Sequence, residues 1–258
     1  MEHQEQLLRT VKLFGNGAHI FVPREWAGEQ IQVIKLQKKK LKERILEVLD
    51  PYLESIVGIY LYGSYARGEQ EEESDIDLFI ITDKKIKIKA EGFEIISLEE
   101  NMIEKALKSE PVLMYSLFLE AKPIINAQLL EHLRIKAHPR LSDFSEFLND
   151  CKRLIQINKK SLESEKGEYY SGEAVMYSLI LRLRGVYLIR LLLRAKKYNT
   201  SDFKEWISEK LPHIDFKRIY EAYRSAKREI KIKQKIKVKD LSLFLNLLSA
   251  EVKVLANG

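Results

Sequence analysis

Residues 58–81, GIYLYGSYARGEQEEESDIDLFII, decide how the rest of the chain is read. Ile59 to Tyr62 have the β-branched and aromatic character of a short buried strand, and Gly63-Ser64 follow at once, a small pair that lets a backbone come close to a ligand. The chain turns there and crosses an acidic loop. A second strand is expected over Ser74-Asp75-Ile76-Asp77-Leu78-Phe79-Ile80-Ile81. Strand side chains alternate between faces, so Asp75 and Asp77 share one face while Ile76, Leu78 and Ile80 share the other.

Neighbouring carboxylates at one strand repeat destabilise each other unless a cation or a shifted pKa relieves them. One or two hard divalent cations would do so, held against the phosphates of a nucleotide. The other reading of a lone Asp-x-Asp is a solvated strand edge. The Gly-Ser turn and Arg67-Gly68 ahead of the pair favour the metal site.

The run Gly63-Ser64-Tyr65-Ala66-Arg67-Gly68, a short acidic spacer and Ser74-Asp75-Ile76-Asp77-Leu78 resemble the signature of the DNA-polymerase-beta-type nucleotidyltransferase superfamily, especially its small archaeal and bacterial members. The similarity in element order extends to about residues 38–126. This resemblance implies that Gly63, Ser64, Arg67 and Ser74 meet the nucleotide, with ATP the expected donor, and that Asp75 and Asp77 bind magnesium or manganese. Members often carry a third carboxylate on the next strand, and in Phe93 to Leu98, FEIISL, Glu94 falls at that place. There it would complete the metal site or act as general base on an acceptor hydroxyl; alternatively it is a surface charge on an edge strand.

Composition narrows the class. Of 258 residues, 45% are hydrophobic and 32% charged, and no apolar run reaches membrane-spanning length, so a soluble globular protein of two or so domains is expected. Residues 174–193 come nearest, but Arg182, Arg184 and Arg190 interrupt them. No signal-peptide pattern opens the chain, and the single Cys151 excludes an internal disulfide; a reducing cytoplasm is expected. The five histidines show no metal-ligand spacing. Residues 152–258 hold 24 Lys and Arg against 12 Asp and Glu, net +12, leaving the remainder net −6. Such asymmetry fits a polyanionic partner or a highly charged, thermophile-like surface.

Residues 1–36 are expected to form a small β unit: strands at Val11 to Phe14 and His19 to Val22 around a Gly15-Asn16-Gly17 turn, and a third at Ile31 to Ile34. The unit is similar to a small domain of archaeal transposon-associated proteins and, more loosely, to the swapped-hairpin half of AbrB-type DNA-binding dimers. A homodimer contact, a DNA contact or a merely packed appendage are the open readings.

Residues 37–138 are expected to be the nucleotidyltransferase domain. A helix over Lys38 to Ser55 breaks near Asp50-Pro51, and the lysine-isoleucine alternation from Lys84 to Glu91 reads as a hairpin or loop. Helices follow at Leu98 to Lys108 and Pro111 to Glu120, then a strand at Pro123 to Asn126 and a helix at Leu129 to Lys136. Beyond His138-Pro139, residues 139–258 are expected to be an all-helical bundle, with helices near 142–164, 172–196, 201–210, 215–229 and 239–255. Lys231 to Lys239 alternates lysine with other residues, so an extended strand there would present five lysines to a phosphate backbone or to solvent. Tyr169, Tyr170, Tyr177, Tyr187 and the three arginines of 182–190 are cleft candidates, most of them expected in the core.

The fold class expected is therefore α+β: a small N-terminal β unit, a mixed-sheet core with helices and a C-terminal helical bundle. The leading functional expectation is a magnesium-dependent transfer of a nucleoside monophosphate from a nucleoside triphosphate to an acceptor hydroxyl. The acceptor, whether RNA, protein or small molecule, is open, and no membrane is implied. An antitoxin that adenylylates a partner protein, and a nucleic-acid-binding dimer without catalysis, are the alternatives.

Overall fold

A computed structural model describes residues 7, 9, 11–34, 40–72, 74–227, 230–231 and 234–256. The chain divides into two compact units, Met1–Arg44 and Ile45–Gly258.

In the first unit, β1 (Lys12–Phe14) and β2 (Gly17–His19) pair antiparallel, with Phe14 opposite Gly17 and Gly15 taking a positive φ in the turn. His19 packs edge-on between the rings of Phe14 and Phe21. The third strand expected at Ile31 to Ile34 does not form. Its alternation has nothing to pack on: Val33 and Ile34 stay 65% and 69% exposed, and a bare hairpin cannot anchor a further strand.

In the second unit, α1 (Leu41–Leu49, beginning in the first) buries Ile45 and Leu49. The break expected near Pro51 is present, because the chain tightens into a 3-10 turn over Asp50–Ser55. Lys38 and Lys39 of the expected helix lie outside the described residues. A four-stranded sheet follows in the order β5-β4-β3-β6. It comprises β3 (Ile56–Leu61), β4 (Ile76–Thr82), β5 (Phe93–Glu99) and β6 (Lys122–Ile125). β3 is antiparallel to β4 and β6, whereas β4 and β5 run parallel, so the sheet is mixed as expected. Parallel pairing also decides the Lys84 to Glu91 segment: it is a crossover loop and not a hairpin.

Helices α3 (Ile103–Ser109), α4 (Pro111–Glu120) and α5 (Ala127–Lys136) cover one face of the sheet. Phe79 and Ile81 of β4 and Tyr60 of β3 pack there with Ile103, Met114, Phe118 and Leu130. Pro111 sits in the first turn of α4, where its missing N–H has no partner to lose, and the Asn126 side chain caps α5.

The bundle consists of α6 (Ser145–Ser164), α7 (Ala174–Leu192), α8 (Thr200–Lys210), α9 (Phe216–Lys227) and α10 (Val238–Ala256). Its core gathers Cys151, Leu179, Leu183, Val186, Phe216, Phe244 and Leu248. Burial pushes the Cys151 thiol up to about 12, in keeping with a packing role. Val112, Tyr115 and Leu119 of α4 pack on this second core, so α4 is shared by sheet and bundle. Among the described residues no helix is long and apolar enough to cross a membrane.

The lysine run departs from its expected strand. Ile232 and Lys233 lie outside the described residues, and Lys239 is already inside α10. Among the described residues of the run, an isolated bridge of Lys237 with Tyr169 is the β-like pairing; Lys237 also pairs with Glu168 at 2.7 Å, and Ile236 turns inward.

Candidate functional site

The site is built where β3 hands over to the five-residue helix α2 (Gly63–Arg67) and β4 runs back beside it. The turn expected at Gly63-Ser64 is thus the first turn of a helix. The Tyr62 N–H donates to the Asp77 carbonyl at 3.0 Å, which fixes the two chains side by side. Gly63 has φ +66, and a Cβ there would lie 1.9 Å from Asp77 Oδ2. Both the left-handed backbone and the close carboxylate therefore require glycine. The Ser64 N–H, one of those an α-helix leaves free at its start, donates to the Asp77 carboxylate.

Asp77 faces a second carboxylate. In the parallel β4–β5 ladder its register partner is Glu94. Burial first, then the Glu94 charge, push the Asp77 carboxyl up to about 6; Lys227 and the Ser64 N–H pull the other way. Lys227 Nζ, at the end of α9, lies 3.7 Å from Glu94 Oε2. The Tyr62 hydroxyl is held well above its ordinary range by burial and by these two carboxylates. Asp75 lies in coil one residue ahead of β4 and is exposed, while Asp77 and Glu94 abut.

Among the described residues no three His, Cys, Asp or Glu side chains are gathered so as to hold a metal ion by themselves. Two abutting carboxylates, one with its proton affinity raised by the other, are nevertheless the donor type a hard cation takes, the remaining oxygens coming from elsewhere.

Arg67 and Ser74 have partners within the chain. Arg67 donates to Glu69 and to Glu120, each at 2.8 Å, and its guanidinium lies 5.2 Å from the centre of the Tyr198 ring. Burial works against the guanidinium's charge, but the two carboxylates outweigh it. For Glu120 burial wins and its pKa rises; for Glu69 the bonds from Arg67 and Thr200 win and it falls. Ser74 Oγ accepts the Glu71 N–H at 2.8 Å, closing the acidic loop.

Across from these elements stands the bundle, and the two walls enclose a cleft of about 1510 Å³. Gly63, Ser64, Arg67, Ser74, Asp75, Asp77 and Glu94 all line it, so the structure brings every expected site residue to one cavity. Several links between described residues join its walls. Thr200, at the start of α8, donates its N–H and Oγ1 to Glu69, both at 2.9 Å. Arg224 of α9 forks onto both oxygens of Glu71, and Lys227 reaches Glu94. Glu120, Thr200, Arg224 and Lys227 were invisible to sequence reasoning, since none lies in a motif, and Glu69 was read only as part of the acidic spacer.

Of the earlier cleft candidates, Arg182 and Arg184 line the cavity. Arg190 instead pairs with Glu251, Tyr187 packs with Trp206 and Phe203, and Tyr177 stacks on Tyr223. Those belong to the bundle's interior, as expected for most of the set.

The strand–glycine–helix–acid-strand arrangement agrees with what comparison finds: residues 43–134 match the model of the family described as polymerase beta, nucleotidyltransferase. Over this segment, about a third of the chain, the protein is similar to the polymerase-beta-type nucleotidyltransferases. Over 47 residues, 18% of the chain, it is 45% identical to a Methanocaldococcus jannaschii protein named provisionally as a protein adenylyltransferase. The match spans about half of that relative, 47% of its length. Among solved structures, spectinomycin adenyltransferase AAD(9) of Enterococcus faecialis, crystallised with ATP and spectinomycin, aligns at 15% identity over 82% of this chain and 97% of its own, with a TM-score of 0.44. A nucleotidyltransferase-like protein of Exiguobacterium sibiricum aligns at 13% identity over 83% and 75%, with a TM-score of 0.37.

Proposed function

We propose that the protein moves a nucleoside monophosphate from a nucleoside triphosphate, ATP in the first instance, to an acceptor hydroxyl and releases pyrophosphate. The observation that carries the reading is the Asp77–Glu94 pair pressed against the Gly63-Ser64 helix start at the edge of the cleft. The relative's provisional name supports adenylyl as the group moved.

In this reading Asp75 and Asp77, joined by Glu94, hold magnesium or manganese. The cation, when bound, would neutralise triphosphate charge and acidify the acceptor hydroxyl. Gly63 lets the backbone reach the phosphates, and the N–H groups of the α2 start, with Lys227 and Arg224 across the cleft, hold the departing pyrophosphate. Glu94 accepts the proton of the acceptor hydroxyl as its oxygen bonds to the α-phosphorus and the bridge to the β-phosphate breaks. Arg67, with both carboxylate partners in place, also fixes α2 to α4 through Glu120 and, through Glu69, to the start of α8.

The test is pyrophosphate release from ATP, with magnesium and a panel of acceptors, by wild type, Asp77→Asn and Glu94→Gln. Abolished release in both variants, with folded protein by circular dichroism, is expected. Wild-type turnover in either would sink the reading.

A further inference from the structure

In the reading above two elements hold the departing phosphates, the start of α2 and the end of α9, and one chain of side-chain contacts ties them together. At its centre is Tyr198, in the coil between α7 and α8 and 3% exposed. The Arg67 guanidinium, at the end of α2, lies 5.2 Å from the centre of this ring, and that of Arg184, on α7, lies 4.9 Å from it. Arg184 in turn donates to the Tyr223 hydroxyl, and Tyr223 directly precedes Arg224 on α9. The contacts therefore run Arg67, Tyr198, Arg184, Tyr223, from the motif helix to the helix whose Arg224 and Lys227 reach Glu71 and Glu94.

Two guanidiniums at one ring repel each other, and Glu120 of α4 offsets both. It accepts from Arg67 at 2.8 Å, lies within the field of Arg184 and takes the Tyr198 N–H. A cation is held over an aromatic face most strongly where water is excluded, as it is at this ring. Arg67, Arg184 and Tyr223 line the cleft, whereas Tyr198 is closed off from it. Protein interiors pack as densely as crystals, so a buried ring between two such groups fixes how far apart they stand.

We infer that Tyr198 is a positioning residue for the transfer: its ring sets the separation between the α2 start and the Arg224 and Lys227 side chains, and with it their joint grip on the β- and γ-phosphates. Tyr198 touches no substrate and acts through Arg67 and Arg184. The inference rests on the nucleotidyl-transfer reading and adds to it the residue through which the bundle controls the phosphate end of the site. A shorter side chain at this place would let either guanidinium shift, and with it the element that carries it.

The experiment measures how ATP and AMP, each with magnesium, displace a fluorescent ATP analogue from the full chain, for wild type, Tyr198→Phe, Tyr198→Leu and Tyr223→Phe. AMP carries the base, ribose and α-phosphate and lacks the two phosphates in question. Wild type is expected to prefer ATP. Tyr198→Leu should lose roughly tenfold in ATP affinity, the worth of about one desolvated cation–ring contact, with AMP affinity unchanged. Tyr198→Phe keeps the ring and should stay within about twofold of wild type. Tyr223→Phe cuts the link to α9 and should lose ATP affinity selectively, by roughly fivefold. A role confined to holding the bundle together would change neither affinity of the folded protein, or both alike. Equal losses for ATP and AMP, or an unchanged ATP affinity in Tyr198→Leu, overturn the inference and leave nucleotidyl transfer standing. Should Tyr198→Leu fail to fold, the nearly isosteric Tyr223→Phe decides, and an unchanged preference for ATP there overturns the inference. Wild type that binds ATP no tighter than AMP overturns the transfer reading itself, and the inference with it.

Discussion

Glu69 accepts both the N–H and the hydroxyl of Thr200 at 2.9 Å, although 131 residues separate them. Since Glu69 also receives Arg67 at 2.8 Å, one carboxylate closes the end of the α2 segment and the start of α8 together. Thr200→Val removes a hydroxyl donated to a charged acceptor and should cost about 1.5 kcal/mol of unfolding free energy; Glu69→Ala removes all three bonds and should cost more. Urea unfolding of the two variants measures this, and equal losses would contradict the geometry.

Gly63→Ala tests the closest contact in the site. Its Cβ would overlap the Asp77 carboxylate, and the left-handed backbone adds about 1–2 kcal/mol of strain. Displacing a reacting group by about an ångström typically costs about a hundredfold in rate. Pyrophosphate release should fall by that order while the melting temperature drops only a few degrees. A variant as active as wild type would show that Asp77 has room to spare.

Stability against pH, measured in chelator, reports the acid pair. Folding raises the Asp77 pKa from 3.8 to about 6, so between those values the native state binds more protons than the unfolded one. That contribution to stability is full below pH 3.8 and is lost as pH rises through about 6. Asp77→Asn lacks the term, so the variant should gain on wild type between about pH 4 and 7. Parallel stability curves would mean that Glu94 and burial do not act on Asp77.

Glu251 carries a prediction away from the cleft. It is 4% exposed inside the bundle, paired with Arg190 of α7 and approached by Lys210 of α8 at 3.7 Å. Removing one partner of a buried ion pair leaves the other charge uncompensated, typically about 3–5 kcal/mol. Glu251→Ala should be destabilised by that amount with ATP affinity preserved, as calorimetry on the folded variant would show.

The sequence carried the local half of this site and little of the distant half. Gly63, Ser64, Asp75 and Asp77 were readable because a motif compresses them into fifteen residues, and Glu94 because strand order placed it next. Helix positions followed from apolar spacing, including the break at Pro51. What alternation cannot show is a partner. Ile31 to Ile34 alternates like a strand and finds no sheet, and the lysine run alternates yet gives way to α10. Thr200, Arg224 and Lys227 carry no local signal, since a hydroxyl at a helix start and cations at a helix end are common surface features.

Lys227 lies 133 residues beyond Glu94 and 150 beyond Asp77, which orders events during synthesis. Domains generally fold from the N-terminal side as the ribosome delivers them, so the sheet can form while α9 is still inside the tunnel. A nascent chain at that stage displays two abutting carboxylates with no lysine beside them. The last helices to emerge therefore complete the electrostatics of the first ones made, and a chain released before α9 would carry the whole motif with its acid pair uncompensated.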